Sequence, residues 1–212
     1  MNKCIFFDLD GTLTDSGEGI INCAIFAMER LGIPLPEREE MRQFVGPPLR
    51  DTFVKFGVPA DKAEEAITIF RSRYLPIGKF ENFPYPGIQK LLDRLNTKGY
   101  RLFVATSKPE ETAIEIMNKF DLARYFELIC GATYDKSRED KSQVIAYLLN
   151  QIGQQTDAIM VGDTAFDVLG AAEHGIPTIG VAWGYGEVSD MEKAGAKNIA
   201  YSMDELYALL AQ

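Results

Sequence analysis

The chain has 212 residues, which against about 150 residues per domain allows a core domain with a small insertion and excludes a long multidomain assembly. An apolar fraction of 46% with 25% charged residues is ordinary for a globular protein with a sizeable core, and it excludes intrinsic disorder. With 22 Lys plus Arg against 31 Asp plus Glu, a net charge of −9 and no basic run, the chain lacks what is needed to track nucleic-acid phosphates.

Residues 4–7 are a short continuous apolar run ending in Asp8-Leu9-Asp10-Gly11-Thr12, too short for a helix, and read as a buried strand. Between 15 and 79 no such run appears. Ile21, Ala24, Ile25, Met28 and Leu31, then Ala63, Ile67, Phe70 and Tyr74, follow a helical period, so this stretch reads as a helical insertion. The segment 80–87, rich in aromatic residues and proline, reads as the return linker. From there strand and helix alternate. The runs 101–105, 126–130, 158–161 and 178–182 each lead into Thr, Ser, Gly or Asp, and helical patterns lie at Ile88 to Leu95, Ala113 to Phe120 and Val144 to Ile152. Such alternation predicts βαβ units and a doubly wound parallel α/β core over 1–14 and 80–212, with a helical domain over 15–79. Cys4, Cys23 and Cys130 are widely spaced within apolar patterns and read as buried free thiols; with no apolar window of membrane length, the expectation is a cytoplasmic protein.

In an open parallel sheet ligands bind at the carboxyl ends of the strands. The residues there are Asp8 and Asp10, Thr106 and Ser107, and Asp163 with Asp167. Carboxylates converging in one crevice repel one another unless a cation is bound, and hard oxygen donors without His or Cys point to Mg2+. Magnesium commonly shares its shell with a phosphate oxygen, which makes a phosphate ester the natural substrate. Thr106 and Ser107 are expected at a helix start beside Pro109, where hydroxyls, amides and the dipole favour an anion, and Gly11 and Thr12 would let backbone amides approach it. A lysine is still required. Lys141, in the first turn of the 144–152 helix, opposes the helix dipole and is the candidate, with Lys136 upstream as its competitor.

The segment Asp8-Leu9-Asp10-Gly11-Thr12-Leu13-Thr14-Asp15 resembles the first signature of the haloacid dehalogenase-like superfamily. Thr106-Ser107 resembles its second motif, Lys141 its third, and Gly162-Asp163-Thr164-Ala165-Phe166-Asp167 its fourth, so the similarity runs from residue 4 to about 183. The helical insertion resembles the family's cap, and Gly46-Pro47-Pro48-Leu49 resembles a cap loop of phosphoglycolate phosphatase-like and 5'-nucleotidase-like members.

The resemblance implies a magnesium-dependent phosphatase. Asp8 would be the nucleophile that forms an aspartyl-phosphate, and Asp10 the general acid and base. Asp8, the carbonyl of Asp10 and Asp163 would hold magnesium, with Asp167 ordering its waters or Lys141; Thr106 and Lys141 would stabilise the phosphoryl oxygens. Gly11, Thr12, Ser107, Lys108, Gly46 and Arg50 are the expected substrate contacts, Arg50 through a substrate carboxylate or second phosphate. His174 reads as a helix-end residue rather than a catalyst, and Trp183 and Tyr185 as packing residues. The expected partner is a small phosphate ester such as phosphoglycolate, a nucleoside monophosphate or a sugar phosphate, acted on by a monomer or weak homodimer. A phosphotransferase or mutase would use the same site. Dehalogenation is disfavoured by Asp10, and a non-enzymatic phospho-acceptor by the insertion.

Overall fold

The computed structural model describes residues 3–153 and 157–211. Strand β1 (Cys4–Phe7) leads through a tight loop to β2 (Thr14–Asp15), and then come helices α1 (Gly17–Arg30), α2 (Leu49–Lys55) and α3 (Ala63–Tyr74). After β3 (Phe83–Pro84) the chain alternates: α4 (Ile88–Thr97), β4 (Arg101–Pro109), α5 (Glu110–Lys119), β5 (Leu128–Ala132), α6 (Lys141–Ile152), β6 (Ala158–Gly162), α7 (Ala165–Ala172), β7 (Thr178–Val181), α8 (Val188–Ala194), β8 (Asn198–Ala200) and α9 (Met203–Leu210). Short strands β2 and β3 form a ribbon of their own; the others form a parallel sheet in the order β5-β4-β1-β6-β7-β8. The chain divides into two compact units, Met1–Thr14 with Pro84–Gln212, and Asp15–Phe83.

The core unit is a doubly wound parallel α/β sheet. Its strands read as unbroken apolar runs because helices cover both faces. Side chains alternate: Ile5, Phe7, Leu102, Val104, Ile159 and Val161 join one cluster with α4, α5 and α9, while Cys4, Phe6, Phe103, Ala105, Ala158 and Met160 join the other with α6 and α7. Phe6 meets Phe103 edge to face at 5.7 Å. The chain winds from β1 to β4 and β5 on one side and to β6, β7 and β8 on the other, so the strand order switches at β1 and opens a crevice at its carboxyl end. Asp8 is the next residue.

Two expected elements shift. The strand expected from the run 126–130, β5, begins at Leu128; Phe126 instead packs edge to face on Phe7 at 6.0 Å, and Glu127 pairs with Arg101. Strand β4 continues to Pro109, which is the N-cap of α5. Thr106 and Ser107 therefore lie in extended chain and not at a helix start, and the dipole argument made for them does not apply.

The helical unit is built around α1 and α3, with an aromatic core. Phe44 and Phe53 meet at 5.0 Å, and Phe53 and Phe70 at 6.3 Å. Helix α2, capped by Pro48, is only seven residues long and shows too little periodicity to be predicted. The unit extends to Phe83 rather than ending at 79, because Glu81 is tied into it: its carbonyl accepts from Gly19 N at 3.0 Å and its carboxylate takes both terminal nitrogens of Arg73 at 2.8 Å. No helix of the described residues is long and apolar enough to cross a membrane.

Candidate active site

The loop after β1 sets the geometry. Leu13 N and Thr14 N both donate to the Leu9 carbonyl, at 2.9 and 3.0 Å, and Gly11 N donates to Thr14 O at 2.8 Å. Gly11 has φ +83°, and a Cβ there would lie 2.1 Å from Asp163 Oδ2, so both conformation and space require glycine. Thr12 N donates to Leu9 O at 3.3 Å. The amides of Gly11 and Thr12 thus close the loop on itself rather than pointing at a ligand as expected. The Thr12 hydroxyl instead donates to Asp163 Oδ1 at 3.2 Å.

Asp8, Asp163 and Asp167 come together. Each offers a carboxylate oxygen within 4.8 Å of the others, and all three are buried. Lys141, first residue of α6 after the N-cap Asp140, projects into this group. Its Nζ donates to Asp8 Oδ1 at 2.7 Å and to the Ala105 carbonyl at 2.8 Å, and lies 2.7 Å from Asp167 Oδ1 as an ion pair. Lys136 has φ 63°, points to solvent with its side chain 75% exposed, and faces Glu139.

The electrostatics follow from burial. Burial lifts the Asp8 carboxyl above its ordinary range, only partly opposed by Lys141. Asp163 is lifted well above that range by burial and by the charges of Asp167 and Asp8. Burial alone would lower Lys141, but Asp167 and Asp8 more than reverse this and hold it protonated. With all three carboxylates ionised, one ammonium would leave two uncompensated negative charges in a buried crevice, a donor set that suits a hard divalent cation. Asp167 Oδ2 accepts from Thr164 N at 3.0 Å and Thr164 Oγ1 at 2.8 Å, while its Oδ1 is ion-paired with Lys141 and accepts no hydrogen bond among the described residues. Each oxygen of Asp163 accepts one hydrogen bond as well, Oδ1 from Thr12 Oγ1 and Oδ2 from Tyr185 N.

The Asp10 carboxylate is not part of this group; its Oδ2 is bonded to Lys108 Nζ. Thr106 is buried and accepts from Lys108 N at 3.2 Å, while Ser107 is exposed. Gly46 and Arg50 belong to the helical unit. Gly46 is exposed with φ 104°, and Arg50 pairs with Glu64 at 2.7 Å. His174 lies just past α7, its Nε2 2.9 Å from the Ser142 carbonyl.

Sequence reasoning missed the loop after β7. Tyr185 N donates to Asp163 Oδ2 at 2.8 Å, and the Trp183 indole donates to Thr12 O at 3.2 Å. A Cβ on Gly184 would come within 2.3 Å of the Asp163 side chain. Applying the strand-end rule to the run 178–182 would have found these residues. Two further close approaches were invisible: a Cβ on Gly162 would meet Asp167 at 2.3 Å, and one on Gly170 would meet Lys141 at 2.7 Å.

Residues 5–181 match the family described as haloacid dehalogenase-like hydrolase. The chain is similar to the tyrosine-protein kinase PtkA of Mycobacterium tuberculosis, at 42% identity over 96% of this chain and 71% of that one. It is also similar to a 5'-nucleotidase of Pseudomonas aeruginosa, at 40% identity over 88% and 86%. Among solved structures, that of a predicted phosphatase from Clostridium acetobutylicum superposes with a TM-score of 0.92 at 38% identity, covering 99% of this chain and 98% of that one.

Proposed function

The chain belongs to the haloacid dehalogenase-like hydrolases, and from that premise we propose that it is a magnesium-dependent phosphatase of small phosphate monoesters. The observation that carries this reading is the buried Asp8 carboxylate, with Oδ1 on Lys141 and Asp163 and Asp167 crowded beside it. Asp8 and Asp163, with the carbonyl of Asp10, would hold the cation, and Asp167 would fix Lys141. Magnesium in that position supplies charge neutralisation for the phosphate dianion.

The chain's own residues do the rest. The second oxygen of Asp8 attacks phosphorus as the ester P–O bond breaks, and Asp10 gives its proton to the departing alkoxide. Water then attacks the aspartyl-phosphate and loses its proton to Asp10, the aspartyl P–O bond breaks, and inorganic phosphate leaves. Lys141 keeps its charge throughout, because the two acids beside it favour the ammonium, and so it can balance charge on the phosphoryl oxygens. The likeness to a 5'-nucleotidase favours a nucleoside monophosphate among the candidate substrates. Gly46 and Arg50 remain the proposed substrate contacts of the helical unit, and Ser107 the exposed one at the core edge.

A second reading, phosphoryl transfer to an acceptor other than water, is favoured by the 42% identity to proteins named tyrosine-protein kinase. One experiment separates the two. Phosphate release is measured from phosphoglycolate, nucleoside monophosphates, sugar phosphates and an aryl phosphate, with magnesium or chelator, beside a radiolabelled transfer assay on a tyrosine peptide. Release that requires magnesium and falls by about 10³-fold or more in Asp8→Asn supports the phosphatase. Transfer without release, or substantial activity in Asp8→Asn, overturns it.

A further inference from the structure

Lys108 also reaches the crevice, and it engages a different acid from Lys141. Its Nζ is bonded to Asp10 Oδ2, with the lysine side chain 6% exposed and that of Asp10 17%. The other oxygen, Asp10 Oδ1, is buried and has no hydrogen-bond partner among the described residues. The two oxygens of Asp10 are therefore unequal, one held by a cation and one buried without a partner.

The backbone under Lys108 is built to place it. The pairing of β4 with β5 shifts register between Thr106 and Pro109, an irregularity that turns Ser107 out to solvent and Lys108 inward. Lys108 N donates to Thr106 Oγ1 at 3.2 Å. On the other side, Gly131 approaches so closely that a Cβ would lie 2.5 Å from the Lys108 carbonyl. Gly131 is itself fixed, its N donating to Glu110 Oε2 at 3.1 Å and its carbonyl accepting from Arg138 Nε at 2.7 Å. An ammonium on so flexible a stem is rarely buried without a partner to hold, and here the main chain has lost its freedom to relax away.

We propose that Lys108 is a positioning residue for Asp10: by pinning Oδ2 it makes Oδ1 the atom that exchanges protons with the reacting oxygens. The proposal rests on the phosphatase reading and deepens it. In the first half-reaction the proton moves from Oδ1 to the ester oxygen as the P–O bond breaks. In the second, a water proton moves to Oδ1 as the water oxygen bonds to phosphorus and the aspartyl P–O bond breaks. Both transfers need one oxygen at one place, and a carboxylate free to rotate would miss that geometry in much of its ensemble. The alternative role for Lys108, direct contact with substrate, has a different kinetic signature.

The test uses Lys108→Met. On an alkyl phosphate, kcat is expected to fall about a hundredfold with KM within about threefold of wild type. On p-nitrophenyl phosphate, whose leaving group needs no proton, the rapid-quench burst of nitrophenolate keeps its rate while the later turnover slows. A raised KM with kcat retained would assign Lys108 to substrate binding and overturn the proposal, as would burst and alkyl rates falling alike. Should Lys108→Met fail to fold, Lys108→Arg, which keeps the charge and displaces the donor, is expected to give the same pattern with smaller losses. If the wild type releases no phosphate from any ester, the phosphatase reading falls. The crystal structure of the variant then decides the positioning claim alone: Asp10 must leave its present rotamer, and an unmoved carboxylate overturns it.

Discussion

The Arg73–Glu81 pair of the helical unit and the carboxyl edge of the core sheet treat charge in opposite ways. In the helical unit Glu81 is half-buried against Arg73, which holds its carboxyl below the ordinary range through two hydrogen bonds. At the carboxyl edge of the core sheet burial pushes Asp8 and Asp163 the other way, above that range. The first arrangement contributes to stability; the second opposes it. A fold keeps acids that destabilise it where they bind something, so the direction of the shift separates scaffold from site.

Removing the compensating cation should expose this difference most sharply. Lys141→Met leaves three buried carboxylates without their ammonium, and is expected to destabilise the chelator-treated protein by about 3 kcal/mol, read by urea denaturation. A loss below about 0.5 kcal/mol would mean that the acids are already neutral or solvated. Asp163→Asn should act in the other direction. It relieves the crowding and is expected to stabilise the metal-free protein by about 1 kcal/mol while weakening the response of its melting temperature to magnesium. The unfolded chain loses the Asp163 proton near the ordinary aspartate value and the folded chain only at higher pH. The gain should therefore grow as pH rises through that window and vanish below it. A gain independent of pH would place its origin outside this titration. The smallest effect is expected in the helical unit, where Arg50 and Glu64 are 51% and 69% exposed. Arg50→Ala should leave stability within about 0.5 kcal/mol, and any consequence should appear in the ranking of substrates. Equal loss on every substrate would remove Arg50 from a specificity role.

The core was legible because the two sheet faces impose unbroken apolar runs. Residues 4–7, 101–105 and 158–161 announce their strands by composition alone, and the strand-end rule leads from them to Asp8, Thr106 and Asp163. The edge strand β5 was less legible. Phe126 is apolar because it packs on Phe7, outside the ladder, which blurs the strand's start. Helix α2 was hidden for a related reason: seven residues are too few for a period to stand out, and burial of Phe53 among Phe44 and Phe70 fixes the helix instead.

By itself, the sequence determined the doubly wound core, the helical insertion and the identity of the acids, because local periodicity and residue chemistry are written in neighbouring positions. Only the tertiary structure decided which lysine meets which acid. Lys141 lies 133 positions from Asp8, and Lys108 lies 98 from Asp10. Those pairings depend on how α6 packs against Gly170, on a register shift in β4, and on glycines at 11, 162 and 184 that let other chains come within a few ångströms. Close approach between distant segments is a property of packing, and no spacing along the chain encodes it.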